Sequence, residues 1–110
     1  MIYHITTDEQ WAEAKRLGEY KHQSLDSEGF IHCSSRDQVV KTANRYFMDL
    51  PVILILQIEE EKLTSRLIYE PSTGGELFPH VYGSINLEAV SGVVKEGRSS
   101  DGFFHLANTL

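Results

Sequence analysis

The sequence has little cysteine, proline or tryptophan, and it has no long apolar run. Its 110 residues include one cysteine, Cys33, three prolines and one tryptophan. A single cysteine excludes a disulfide within the chain. No apolar stretch approaches the ~20 residues that a membrane-spanning helix needs, so we expect no association with a membrane. The opening segment, MIYHITTDEQ, lacks the basic and apolar regions of a secretory signal, which predicts a cytoplasmic protein.

Basic residues are also too few for a nucleic-acid-binding surface. Ten Lys and Arg residues stand against sixteen Asp and Glu residues, and the formal net charge is −6. A negative protein repels a phosphate backbone, and the basic residues here form no stripe. We therefore expect no nucleic-acid partner. A small-molecule ligand is the expected partner, and the protein is expected to be a monomer or a weak homodimer.

The order of the predicted elements indicates one α+β domain over residues 1–110. Strands are predicted at 1–6, 30–34, 52–58, 66–70, 77–85 and 89–95. Capping signals at Thr7 and Ser35 start two helices, whereas 19–29 is polar and turn-like. Two strand–helix units come first and a run of strands follows. We therefore expect helices packed on a bent, mostly antiparallel sheet, and not a doubly wound parallel fold, because the later strands lack crossover helices.

Two local features refine this outline. Pro79 interrupts the segment 77–85 and therefore predicts a bulge or an edge position for that strand, because proline cannot donate a backbone hydrogen bond. The tail, 101–110, carries Phe103 and Phe104, and we expect it to pack both rings against the domain.

The two strand–helix units share a short pattern. HITTDEQW begins at His4 and HCSSRDQV begins at His32. Each places a histidine beside a hydroxyl residue, Thr6 or Ser34, on one face of a strand that leads into a capped helix. A helix N-terminus attracts anions, so the pattern favours an anion site. The needs of helix capping alone explain the hydroxyl and glutamine residues equally well.

Three histidines lie in or at the end of apolar extended segments, namely His4, His32 and His80. His22 lies in a polar loop and is expected to be exposed to solvent. A buried imidazole needs partners for both ring nitrogens, so the three should meet each other, a ligand or water. Their spacing carries no zinc signature, and we assign no metal. The two His-x-hydroxyl elements also match the short pattern of two-histidine phosphoesterases, in which one histidine is the base and the other the acid.

The segment GELFPHVYG, 75–83, is a second dense region. In a regular strand Phe78, His80 and Tyr82 share one face, which can stack a planar ring and form hydrogen bonds around its edge. An aromatic strand that covers the core would show the same pattern.

The loop before that segment adds further candidates. Gly74 and Gly75 allow backbone to approach a ligand closely. Glu70 ends the preceding strand and Glu76 lies near the mouth of the loop, so either glutamate can be a catalytic acid or base.

These segments together resemble the domain-of-unknown-function 952 family. The resemblance rests on IYHI, EGFIHCS, QVVKTANRYF and YEPSTGGELFPHVYG, and it runs from Ile2 to about Phe103. Its most specific pieces are GFIH at 29–32 followed by Ser34, and FPH at 78–80 followed by Tyr82. The family is mostly bacterial and has no established activity. Its fold is similar to that of the ADP-ribosyltransferases, in which two strand–helix units are followed by strands of a split, bent sheet. That arrangement agrees with the element order above.

The resemblance implies a set of site roles. In enzymes of the ADP-ribosyltransferase fold, a first-strand histidine or arginine holds the NAD ribose and a second-strand aromatic or serine lies near the nicotinamide. His4 matches the first position, and His32 with Ser34 matches the second. A later glutamate stabilises the transition state in those enzymes. The candidates for that third position here are Glu70, Glu76 and His80.

We therefore predict a histidine-lined cleft that binds a nucleotide-like or other anionic ligand. No bound cofactor is assigned, and NAD is the first candidate substrate. For an enzyme, NAD-dependent transfer or hydrolysis of an N-glycosidic bond is the first class of reaction. The alternatives are a hydrolase that uses His32 and His80 as acid and base without NAD, and an inert binding module. The predicted catalytic residues are His32, His80 and Glu70, and the predicted ligand-binding residues are His4, Ser34, Gly74, Gly75 and Tyr82.

Overall fold

A computed structural model describes residues 1–106 and 110, and of residue 73 it describes the backbone alone. The helices in this part of the chain are α1 (Asp8–Leu17), α2 (Ser24–Ser27) and α3 (Arg36–Tyr46). The strands are β1 (Ile2–Thr6), β2 (Glu19–Tyr20), β3 (Ile31–His32), β4 (Val52–Ile58), β5 (Arg66–Pro71), β6 (Leu77–Tyr82), β7 (Ile85–Asn86) and β8 (Val90–Gly97). The predicted α+β class is confirmed. No helix among the described residues is long and apolar enough to cross a membrane.

The strands pair in antiparallel fashion, as the sequence predicted. One sheet has the order β1-β4-β8, a second has the order β3-β6-β5, and β2 pairs with β7. The two larger sheets meet edge to edge where β3 ends. There the Tyr3 N–H donates to the Ser34 carbonyl at 2.8 Å, and the Ser34 N–H donates to the Tyr3 carbonyl at 2.7 Å. The chain after β3 therefore changes partner, from β6 to β1.

The strand β4 is the centre of the first sheet because its sequence is apolar on both faces. The residues from Ile53 to Leu56 are each at most 4% exposed. Leu56 packs in a core cluster with residues of α1, β3 and β6, whereas Ile53 and Ile55 pack in a second cluster under α3. Burial of this kind contributes roughly 1.5–3 kcal/mol for each large aliphatic side chain.

Both main helices start where the capping signals predict. The Gln10 N–H donates to Thr7 Oγ1 at 3.2 Å, and α1 ends at Gly18, which has a φ of +87°. A left-handed residue at this position is favourable for glycine because it lacks a Cβ. At the start of α3 the Ser35 N–H donates to Gln38 Oε1 at 3.0 Å. The capping residues thus fix the entry of both helices from their preceding strands.

The prediction that 19–29 is only a turn is wrong. Tyr20 lies in β2, pairs with Ile85 and is fully buried, and residues Ser24–Ser27 form the single turn of α2. A two-residue strand and a one-turn helix are too short to show a hydrophobic period, so no sequence pattern predicts them.

The prediction of an edge position for Pro79 is also wrong, because β6 is the central strand of its sheet. In β6 the residues paired with β3 are His80 and Val81. The pairing therefore requires no backbone hydrogen bond from Pro79, which has no N–H to donate. In the tail, Phe104 is fully buried as expected but Phe103 is 49% exposed. Residues 107–109 of the predicted tail lie outside the described residues.

Truncation within β4 tests this account of the core. We expect Ile55→Ala, at a fully buried position, to lower the free energy of unfolding by about 2–5 kcal/mol, because the change leaves a cavity. The matched control, Val52→Ala, lies in the same strand at a position that is 39% exposed and should cost less than about 1 kcal/mol. Urea unfolding followed by circular dichroism measures both values, and equal losses would contradict the account.

Candidate functional site

A cavity of about 400 Å³ lies against the junction of β1 and β3. One wall comes from His4 on β1 and from Ser34, which follows β3. The opposite wall comes from α3, and residues of the loop between β5 and β6 complete the rim. The cavity therefore sits where the two larger sheets meet, which is the region of the two repeated His-x-hydroxyl elements.

His4 borders this cavity, and protein groups occupy both of its ring nitrogens. Its Nδ1 lies 2.6 Å from the His32 carbonyl oxygen, and its Nε2 lies 2.7 Å from the Tyr20 hydroxyl. A carbonyl can only accept, so Nδ1–H donates. Burial is the main cause that lowers the pKa of His4 to about 4, so the ring is neutral at pH 7. His4 thus holds β1 against β3 and offers a ligand no free nitrogen.

His22 is part of the cavity wall, and the prediction that it is merely exposed is wrong. Its ring is partly buried, with its centroid 5.7 Å from that of His4. The Ser24 N–H donates to His22 Nδ1 at 3.1 Å, so in the neutral ring the proton is on Nε2. Burial is the main cause that lowers the pKa of His22. The short turn of α2, which the sequence did not reveal, is what brings this histidine to the site.

The cationic side chains of the wall come from α3. Lys41 and Arg45 lie one helical turn apart, with Thr42 between them, and both long side chains are exposed at the cavity mouth. Glu76 stands across from them, with its Oε2 3.9 Å from Lys41 Nζ. The sequence interpretation missed Lys41 and Arg45. Their spacing of four residues, on a helix that starts beside Ser34, was the signal that could have found them.

A second group of side chains lies next to the cavity, and we call it the aromatic cluster (Phe30, His32, His80 and Tyr82). His32 and His80 are paired across β3 and β6, and their ring centroids are 5.3 Å apart at 75°. Phe30 stacks on His80 with a centroid separation of 4.1 Å and an angle of 18°. Tyr82 completes the cluster at 5.2 Å from Phe30.

Glu70 anchors the aromatic cluster from β5. His80 Nδ1 lies 2.8 Å from Glu70 Oε1, and the Tyr82 hydroxyl donates to the same oxygen at 2.5 Å. These hydrogen bonds, that of Tyr82 first, lower the pKa of the Glu70 carboxyl. Because a carboxylate only accepts, the His80 Nδ1 carries a proton. The other ring nitrogen, Nε2, is buried and has no hydrogen-bond partner among the described residues.

The predicted site residues thus fall into two adjacent groups. His4, His32 and Ser34 border the cavity, and Ser34 Oγ lies 3.4 Å from Thr42 Oγ1. His80, Tyr82 and Glu70 lie in or against the aromatic cluster and take no part in the described cavity wall. His32 belongs to both groups. Its ring is about half exposed, and its Nε2 lies 2.9 Å from Glu28 Oε2.

The glycine pair lies outside the cavity wall as the structure describes it. Gly74 and Gly75 both have a φ of +79°, which favours glycine, and they form the turn between β5 and β6. Their neighbours Ser72 and Glu76 are the loop residues that do border the cavity. The pair therefore shapes the turn that carries Glu76 to the rim.

Metal-ligating side chains do not converge in the part of the chain that the structure describes. No group of three or more His, Cys, Asp or Glu side chains there has the arrangement to hold a metal ion. Cys33 borders the cavity but is buried, and burial raises the pKa of its thiol well above the ordinary range. A protonated, buried thiol is a poor metal ligand and a poor nucleophile.

The chain matches one family of known sequences and is similar to solved structures of another protein. A family model described as "Protein of unknown function (DUF952)" matches residues 5–93. The crystal structure of CC0527 from Caulobacter crescentus superposes with a TM-score of 0.88 at 30% identity, over 97% of this chain and 95% of that chain. The solution NMR structure of CC0527 gives a TM-score of 0.85 at 31% identity, over 99% and 95%. None of the curated proteins matches the sequence significantly.

The buried His4 predicts a specific dependence of stability on pH. Its pKa is near 6.5 when the chain is unfolded and about 4 in the fold, so below pH 6.5 the unfolded chain binds more protons. The free energy of unfolding should therefore be highest above pH 6.5. It should fall as the pH drops towards 4, with His4 contributing about 3 kcal/mol of the loss.

Urea unfolding between pH 7.5 and pH 4 checks this expectation. His4→Gln removes the titrating ring and should flatten the slope, leaving the part due to groups such as His22, whose pKa is lowered in the same direction. His105→Gln is the matched control, because His105 is exposed and contacts only Asp101 among the partners described. A His4→Gln slope as steep as that of the unsubstituted protein would show that His4 is not the titrating group.

Proposed function

Because the chain belongs to the DUF952 family of proteins of unknown function, we propose its function from the geometry of the site. The cavity at the β1–β3 junction binds an anionic small ligand of nucleotide type. The observation that carries this proposal is the charge of the wall. Lys41 and Arg45 stand with His22 and His32 around one mouth, and Glu76 is the acidic side chain among the described wall residues.

For the binding of a small anion, the charge around the cavity matters more than the net charge of the protein. The chain as a whole is negative, at −6, so it gives an anion no long-range attraction. The described wall still carries two permanent cations, Lys41 and Arg45, against one carboxylate, Glu76, and this excess creates a local positive potential at the cavity. Arginine and lysine bind phosphate and carboxylate oxygens through charge-assisted hydrogen bonds, which are roughly twice as strong as neutral ones. A site of this kind selects a small anion and disfavours a long polyanion.

The size and the polarity of the cavity fit the proposed ligand class. A volume of about 400 Å³ lies within the range of roughly 300–1,000 Å³ that is usual for small-molecule sites. Apolar surface from Phe47 and Phe78 is combined with the hydroxyls of Ser34 and Thr42. Apolar walls with a few polar groups suit a ligand that carries a planar ring, a sugar and a phosphate.

We also propose that the fold is of the ADP-ribosyltransferase type, with NAD as the first candidate substrate. The support is the order of the elements, two strand–helix units followed by strands, and a cavity at the junction of two sheets. Among the three candidates for the catalytic acidic position, Glu76 is the one that borders the cavity. Glu70 is engaged by His80 and Tyr82, so its catalytic role stays a prediction.

The alternative of an NAD-independent hydrolase also stays a prediction. It requires a substrate bond between His32 and His80. Their ring centroids are 5.3 Å apart and Phe30 packs against both rings, so the rings would have to separate before a substrate could enter. The expected cytoplasmic location, the monomer or weak homodimer and the lack of a nucleic-acid partner likewise stay predictions.

Paired charge removal tests the binding proposal. We expect ADP-ribose to bind the unsubstituted protein and to bind the double variant Lys41→Ala with Arg45→Ala roughly 10- to 100-fold more weakly, because two charge-assisted contacts are lost. The control is Lys15→Ala with Arg16→Ala on α1, which removes the same charge outside the described cavity wall. Isothermal titration calorimetry gives the affinities. Equal weakening in both double variants, or no binding of ADP-ribose, NAD or phosphate, would refute the proposal.

Turnover separates an enzyme from an inert binding module. The enzyme version of the proposal predicts that the protein releases nicotinamide from NAD and that His32→Ala abolishes the release. His105→Ala should release nicotinamide at the unsubstituted rate, since His105 lies outside the described cavity wall. Chromatography of the reaction mixture measures nicotinamide. Binding of NAD without any release would favour the inert module.

A further inference from the structure

The buried Nε2 atom of His80 is the strongest unexplained polar feature of the described residues. The residue is 4% exposed, and this nitrogen has no hydrogen-bond partner. A buried polar atom without a partner destabilises the fold, so folded proteins rarely keep one without a reason. A ligand that supplies the missing partner is one such reason.

The contacts of His80 define what kind of partner is missing. Its Nδ1–H is donated to Glu70 Oε1 at 2.8 Å. In the neutral imidazole the second nitrogen then carries a lone pair and accepts a hydrogen bond. The missing partner of the neutral ring is therefore a donor, an O–H or an N–H. Glu70 fixes this tautomer, and the Tyr82 hydroxyl in turn fixes Glu70.

The sheet order indicates which strand lies on the Nε2 side of His80. The strand β6 lies between β5 and β3, and Nδ1 of His80 faces Glu70 on β5. In an imidazole the Cδ2–Nε2 edge lies on the opposite side of the ring from Nδ1, so that edge faces β3. His32 on β3 stands there, with its ring nearly perpendicular to His80 and 5.3 Å away.

The cavity borders His32 and the strand that carries His80. Phe78 borders the cavity and is two residues from His80 in β6, so the two side chains share one face of the sheet. His32 borders the cavity as well and contacts His80. Its ring is about half exposed, and its described polar contact is with Glu28, which is also about half exposed. Such an exposed pair contributes little to stability, so rotation of the side chain gives up mainly its ring contacts with Phe30 and His80.

We propose that His80 Nε2 is the hydrogen-bond acceptor for a hydroxyl of the ligand in the cavity, and that His32 is the side chain that moves aside to admit it. The ligand class is a hydroxylated anion such as a sugar phosphate, the common part of nucleotides. This inference rests on the proposed anion site and deepens it. Lys41 and Arg45 of α3 bind the phosphate. His80 Nε2 accepts a hydrogen bond from a hydroxyl of the sugar.

Two probes separate the acceptor from the anion site. Ribose 5-phosphate carries both a phosphate and sugar hydroxyls, whereas methyl phosphate at pH 7.5 carries the anion without a hydroxyl donor. We expect ribose 5-phosphate to bind about tenfold or more tightly, as one hydrogen bond to a buried acceptor provides. In protein with ¹⁵N-labelled histidine, ribose 5-phosphate should shift the His80 Nε2 resonance and methyl phosphate should not.

A variant pair completes the experiment. His80→Phe removes the acceptor, and it should erase the advantage of ribose 5-phosphate while methyl phosphate binds as before. Tyr69→Phe lies on the opposite face of β5 from Glu70 and should keep the full advantage. Should His80→Phe fail to fold, the resonance of His80 in the unsubstituted protein decides by itself.

The outcomes distinguish the two proposals. If neither probe binds, the anion site itself is refuted. If both probes bind equally and the His80 Nε2 resonance does not move, the acceptor role is overturned and the anion site stands. An advantage for ribose 5-phosphate that persists in His80→Phe also overturns the acceptor role, because another group must then contact the sugar.

Discussion

The junction between β1 and β3 is the contact on which the candidate site depends. Two backbone hydrogen bonds between Tyr3 and Ser34 join the sheets, and His4 adds a third, from its Nδ1–H to the His32 carbonyl at 2.6 Å. The helix α3 begins two residues after Ser34, so the same junction positions the helix that carries the cations. The walls of the cavity are therefore set by one short region of hydrogen bonding.

The two histidines of the repeated pattern have opposite environments at this junction. His4 is buried and neutral, and protein groups occupy both of its nitrogens, so it acts as a fixed part of the wall. His32 directs its carbonyl towards His4 but exposes its ring to solvent, the cavity and His80. A wall that protein hydrogen bonds hold in place, beside one half-exposed ring, suits selective binding. Little of the site then has to be ordered when a ligand binds.

The sequence predicted the elements with a strong local signal and missed those without one. The caps at Thr7 and Ser35, the apolar run of β4 and the alternation in β1 all depend on neighbours in the chain, and the structure has each of these elements. The short β2 pairs with β7 and α2 packs against β3, and neither has a local sequence pattern that predicts it. The prediction that His22 is merely exposed failed because the turn of α2, whose Ser24 contacts His22, could not be predicted from the sequence.

The candidate site was predicted only in part, because its assembly is not local. The shared face of His80 and Tyr82 followed from strand alternation, and the structure brings both to Glu70. The register of β3 against β6, which pairs His32 with His80, depends on contacts between distant residues and could not be predicted from the sequence. Lys41 and Arg45 were missed because solvated lysine and arginine are common on exposed helix faces.

We propose above that the cavity binds an anion beside Lys41 and Arg45. The most direct test is a crystal structure of the protein grown with ADP-ribose. We expect phosphate density within hydrogen-bonding distance of these two side chains, with the sugar towards His32. Well-ordered ligand density elsewhere on the protein, or an empty cavity at saturating ADP-ribose, would contradict it.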